Sequence, residues 1–111
     1  MQYWTKKEEA KRSDSGHGHW AYPMLDESNG CTNECATGIS YYAQTEYTPV
    51  ATHPFQEGFL VLSGKGWAKV GDEEFPIEGG ISFVVPAEMA HQLKSDDADT
   101  PLELFLFHAA K

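Results

Sequence analysis

From Trp20 onward, apolar and polar residues alternate in short runs rich in aromatic and β-branched side chains, and each run is closed by Gly, Asp, Asn or Pro. Alternation with a period of two marks half-buried strands. It predicts strands near 19–25, 37–44, 47–53, 57–63, 66–70, 73–77, 81–86, 90–94 and 101–108. No stretch between them is long enough or periodic enough for a core helix. Ser63-Gly64-Lys65-Gly66, Val70-Gly71-Asp72-Glu73 and Ile77-Glu78-Gly79-Gly80 read as hairpin-like turns, with Gly79-Gly80 supplying positive φ where the chain re-enters the sheet. Pro86 suits a strand end, because it cannot donate to a ladder. Many short strands with short turns predict an all-β closed barrel or two-sheet jelly roll, since an open sheet would leave edges and a bare face.

The pattern fails at the start of the chain. Lys6, Lys7, Glu8, Glu9, Lys11 and Arg12 surround Ala10, which suits a short solvated helix or an arm, and Ser13-Asp14-Ser15-Gly16 breaks it. The expected organisation is a charged arm over 1–16 and one β domain over 17–111.

Composition narrows the partners. The 111 residues are enough for one core and too few for two. With 17 acidic against 8 basic residues, the net charge of −9 repels phosphate backbones and anionic membrane surfaces, which argues against nucleic acid and membrane and for small molecules or proteins. No run approaches the ~20 apolar residues of a bilayer span, and Met1-Gln2-Tyr3-Trp4-Thr5-Lys6-Lys7 lacks a secretory apolar segment, so a cytoplasmic location is expected. Cys31 and Cys35, the two cysteines, read as free thiols in a reducing compartment, with a redox pair or a metal contact as the alternatives.

The chemistry sits in two glycine-punctuated segments. His53-Pro54-Phe55-Gln56-Glu57 leads into Gly58-Phe59-Leu60-Val61-Leu62, and Gly80-Ile81-Ser82-Phe83-Val84-Val85-Pro86 leads to His91. Two imidazoles and a carboxylate suit a divalent transition metal. His53 and Glu57 share strand parity, but four residues of straight strand span ~13 Å, so the chain must bend near Pro54. The simplest arrangement ends one strand at His53 and starts its antiparallel neighbour around Glu57. Phe59 and Val61, with the parity of Glu57, would then back the metal, while Phe55 and Met89 would face the ligand. His17-Gly18-His19 reads as a solvated loop, although a strand entering there could bring an imidazole to the barrel mouth. His108 shares parity with Leu102, Leu104 and Leu106 and reads as a strand-end residue outside the site.

These segments resemble the paired motifs of the cupin superfamily, Gly-x5-His-x-His-x3,4-Glu-x6-Gly and Gly-x5-Pro-x-Gly-x2-His-x3-Asn. His53-x3-Glu57-x6-Gly64 fits the end of the first, and Gly80-x5-Pro86 with His91 fits the second. The short interval from Gly64 to Gly80 is the one seen in small bacterial members. Thr45, Ala51, Glu88 and Ser95 stand where the opening glycine, first histidine, second glycine and asparagine would be. The resemblance implies a double-stranded β-helix barrel, pairing as a homodimer through edge strands, and carries over His53, Glu57 and His91 as metal ligands with none at Ala51. Fe(II), Mn(II), Ni(II) and Zn(II) all suit this set. Two functions stay open: an enzyme of dioxygenase, isomerase, lyase or decarboxylase type acting on a small oxygenated metabolite, and a non-catalytic small-molecule binding or sensing module, with or without metal.

Overall fold

The computed structural model describes residues 1–109. Among the described residues nine strands form two sheets: β1 (Ser13–Asp14), β2 (His19–Pro23), β3 (Ala36–Tyr42), β4 (Gln56–Ser63), β5 (Lys65–Val70), β6 (Glu73–Glu78), β7 (Ser82–Val85), β8 (His91–Ser95) and β9 (Leu102–Ala109). The larger sheet has the order β1-β2-β3-β9-β4-β7 and the smaller β6-β5-β8. Every ladder is antiparallel, and the sheets stack as a jelly roll over one core. Among the described residues the helical elements are two single 3₁₀ turns, Lys7–Glu9 and Glu27–Asn29, and no helix is long and apolar enough to cross a membrane.

Alternation decides what is inside. Phe59 and Val61 of β4, Leu102 and Leu104 of β9 and Leu93 of β8 are almost fully buried and pack as one cluster with Ala68 and Ile77. Burial of each large side chain contributes roughly 1.5–3 kcal/mol. In the larger sheet the same inner faces carry Glu57 and His108, which the β4–β9 register sets directly opposite each other.

The largest departure from the expected strands is at 47–53, which forms no strand. Pro49 and Pro54 remove ladder donors, and the segment runs irregularly beside β8: Thr48 N–H donates to the Leu93 carbonyl at 3.1 Å, and Ala51 forms an isolated bridge with His91. His53 and Glu57 therefore do not lie on neighbouring antiparallel strands. Glu57 pairs with β7 and β9, while the chain before His53 follows β8. At the other end, Ser13–Asp14, expected as a break, pairs with β2. The amino-terminal residues lie against their own chain, with Asn29 donating to the Gln2 carbonyl at 2.8 Å and the Lys7 ammonium on the Tyr41 hydroxyl.

Two turn glycines separate backbone strain from crowding. Gly64 (φ +88°) has Pro101 O and Leu102 Cα within 2.6 and 2.9 Å of where a Cβ would sit, whereas Gly80 (φ +95°) has nothing within 4 Å. Gly80→Ala is expected to cost about 1 kcal/mol of unfolding free energy, from the left-handed backbone alone. Gly64→Ala should cost about 2 kcal/mol or more, because backbone must also move. Urea unfolding of the two variants checks the order, and equal costs would contradict the close approach at Gly64.

Candidate metal centre

Glu57 is the second residue of β4, in phase with Phe59 and Val61, and only 6% exposed. A carboxylate in such a place is costly unless its oxygens are engaged. Oε2 is engaged by His108, whose Nε2 lies 2.8 Å away and donates to it in the tautomer that the contact requires. Oε1 is buried with no hydrogen-bond partner among the described residues. Two imidazole nitrogens face it instead: His91 Nε2 at 3.5 Å and His53 Nε2 at 3.8 Å.

Each imidazole is fixed by its backbone and neighbours. His91 opens β8, opposite Val70, and exchanges both main-chain hydrogen bonds with Ala51, at 3.0 and 3.2 Å. Such a pair presents both side chains on one face. The position without the motif's imidazole thus still holds His91 through its backbone, and its methyl group lines the cavity in front of the ligands. His53 sits in the loop before β4, where its carbonyl accepts from Glu88 N–H at 2.7 Å. Glu88, at the motif's second glycine, has φ of +67°, the left-handed conformation that glycine adopts without cost. Phe55 packs against two of the histidines, stacked on His53 at 5.1 Å and tilted against His108 at 4.2 Å.

The candidate donors of His53, Glu57 and His91 all lie within 4.8 Å of one another, an arrangement that could hold a metal ion. Two donors about 2.05 Å from a tetrahedral zinc ion stand ~3.3 Å apart, close to the 3.5 Å between His91 Nε2 and Glu57 Oε1. The unpartnered Oε1 is the atom such an ion would satisfy. Burial pushes the His91 pKa down, against the pull of Glu57, which favours the neutral imidazole that ligation needs.

A cavity of about 530 Å³ opens on these residues. Its wall includes His17, His19, Ser40 and Tyr42 as well as Ala51, His53, Glu57, His91 and His108. The four residues expected to line it lie elsewhere. Phe59 and Val61 face inward as their parity requires but are sealed in the core, because the cavity lies toward β2, β3 and β9. Phe55 precedes β4 and packs against the rings of His53 and His108. Met89 is 38% exposed, because 86–90 is a turn with left-handed Glu88, so strand parity does not reach it from His91.

Two histidines read as peripheral belong to the site region. The alternation through Leu102, Leu104 and Leu106 already placed His108 on the inner face; its meeting with Glu57 depends on the β4–β9 register, which local pattern does not encode. His19 begins β2 instead of closing a loop, and its ring stacks on Tyr42 at 4.1 Å with 8° between planes. Burial lowers the His19 pKa and raises that of Tyr42.

Comparison with known proteins agrees with this architecture. The Cupin_2 family, described as a cupin domain, matches residues 38–108. No curated protein matches the chain. Among solved structures, an RmlC-like cupin from Shewanella frigidimarina NCIMB 400 superposes with a TM-score of 0.80 at 17% identity, covering 100% of this chain and 93% of that one. The polyketide cyclase RemF from Streptomyces resistomycificus gives 0.80 at 12% identity, with 100% and 81% covered. HppE in its FeII form gives 0.76 at 13% identity; 95% of this chain is covered, against 59% of that one.

His19 and His91 both have folded-state pKa values below the ordinary 6.5, so the unfolded chain takes up their protons first. Their contribution to stability is complete above pH 6.5 and is lost as pH falls through the lower folded values. The melting temperature in chelator-treated buffer should therefore drop between pH 7 and 5, with a shallower slope in His19→Phe. A slope unchanged in that variant would contradict the neutral, half-buried His19.

Proposed function

Because the chain belongs to the cupin domain family, we propose that it holds a divalent transition metal through His53, Glu57 and His91 and acts on a small oxygenated metabolite in the adjoining cavity. The observation that carries this reading is Glu57 Oε1, buried, without a hydrogen-bond partner, and faced by the Nε2 atoms of two histidines. Fe(II), Mn(II), Ni(II) and Zn(II) all accept such donors. When bound, the ion would supply Lewis acidity or, if redox-active, electron transfer to or from the substrate.

The protein's own residues do the positioning. His108 holds Oε2 of Glu57 and so aims Oε1 at the two imidazoles, an outer contact that orients a ligand. Phe55 packs against the rings of both His53 and His108. Ala51 leaves room beside His91 for a substrate atom, and the apolar part of the wall restricts water around it. A dioxygenase, isomerase, lyase or decarboxylase is the class of activity proposed, supported by similar structures that include a polyketide cyclase and an FeII protein. The competing reading is a binding or sensing module without chemistry.

We also propose a cytoplasmic homodimer. Leu60, Leu62, Val84 and Phe107 leave an exposed apolar patch on β4, β7 and β9, and Val84 and Phe107 flank Gly58 across adjacent strands. Sedimentation equilibrium should give a dimer that Val84→Glu converts to monomer; a monomeric parent protein would remove the claim.

Loaded with each ion in turn, the purified protein should retain about one equivalent by elemental analysis and melt at higher temperature. Glu57→Ala and His91→Ala should abolish both effects, and His108→Ala should weaken affinity about 10- to 100-fold. Ala51→His, which adds a fourth donor, a third imidazole, on the face of His91, should tighten it. No retained metal, with no thermal shift dependent on His53 and His91, would sink the metal centre. Turnover in a metabolite panel should require the metal, whereas metabolites bound equally by the apo protein and both alanine variants would establish the binding module.

A further inference from the structure

The cavity extends past the candidate ligands along the inner faces of β2 and β3. There His19, Ser40 and Tyr42 join the wall, three strands across the larger sheet from Glu57 in the case of His19. Much of the remaining wall is apolar, with Ala21, Leu25, Val50, Leu93 and Leu106. No Lys or Arg belongs to it among the described residues, while the carboxylates of Asp26 and Glu57 do. At the end away from the candidate ligands, a phosphate or carboxylate would therefore meet the like charge of Asp26 and no Lys or Arg. Imidazoles and hydroxyls match neutral hydroxyl groups instead.

His19 is the side chain best placed for that match. Its Nε2 is buried with no hydrogen-bond partner among the described residues, an expensive arrangement unless a ligand completes it. Stacking on Tyr42 fixes the ring, so Nε2 is oriented before anything binds. As a neutral ring it can donate or accept according to tautomer, as a hydroxyl can.

We propose that the cavity takes a neutral, largely apolar hydroxylated ring compound of phenol type, with one oxygen toward His53, Glu57 and His91 and a second hydroxyl hydrogen-bonded to His19 Nε2. This rests on the reading of the cavity as the ligand site and makes His19 a specificity residue, not a metal ligand. A pocket of about 530 Å³ lies in the range that encloses such molecules.

Titration calorimetry of the full chain, zinc-loaded and metal-free, with 2,6-dihydroxynaphthalene and 2-naphthol tests the assignment. The diol should bind about three- to tenfold more tightly than 2-naphthol, the worth of one neutral hydrogen bond. His19→Phe keeps a flat ring on Tyr42 and should bring the two probes to equal affinity. His19→Gln should restore part of the preference and serves alone if His19→Phe does not fold. The anionic 6-hydroxynaphthalene-2-sulfonate should bind more weakly than either. Should zinc fail to bind, the preference for the diol would still appear in the metal-free protein, so failure of the metal reading is told apart from failure of this one. Equal affinities for diol and 2-naphthol in the parent protein, a preference unchanged in either folded variant, or no saturable binding of either probe overturns it.

Discussion

A carboxylate buried between two sheets is the constraint around which this molecule is arranged. Glu57 follows from the same alternation that buries Phe59 and Val61, so removing it from the interior would mean re-registering β4 and exposing those core residues. Its charge must be compensated in place. One oxygen is compensated by His108 across the β4–β9 ladder, and the other is turned toward His53 and His91. Three stretches distant in sequence meet there: the loop before β4 with β4 itself, the start of β8 and the end of β9.

Ala51 gains a definite role from this arrangement. Loss of an imidazole at that position removes a donor, yet the main chain of Ala51 is what pairs with His91. An alanine there therefore leaves space open while its main chain still holds the neighbouring candidate ligand, His91. The space is continuous with a cavity whose other polar groups, on β2 and β3, include a second histidine with an unpartnered nitrogen. One end of the cavity is suited to a metal and the other to a hydroxyl group, with apolar walls beside them.

Much of this was legible in the chain, for identifiable reasons. The two-sheet all-β fold follows from period-two alternation and turn glycines, which are local. The clustering of Glu57 with His53 and His91 as candidate donors is foreshadowed by motif spacing. Segment 47–53 has the apolar content of a strand, while Pro49 and the adjoining Pro54 deny it a ladder. Strand parity does not reach Phe55 and Met89, which lie in a loop and a turn. The parity of His108 was correct, but its contact with Glu57 depends on a register between strands far apart in sequence. His19 needed the knowledge that β2 starts at that residue, and its stacking on Tyr42 is likewise a cross-strand fact.

Anomalous diffraction from zinc-loaded crystals tests the central claim most directly. The account predicts a single ion about 2.0–2.2 Å from His53 Nε2, His91 Nε2 and Glu57 Oε1, with His108 still hydrogen-bonded to Oε2. An ion held through His108 or elsewhere in the cavity, or no anomalous peak near Glu57, would contradict it.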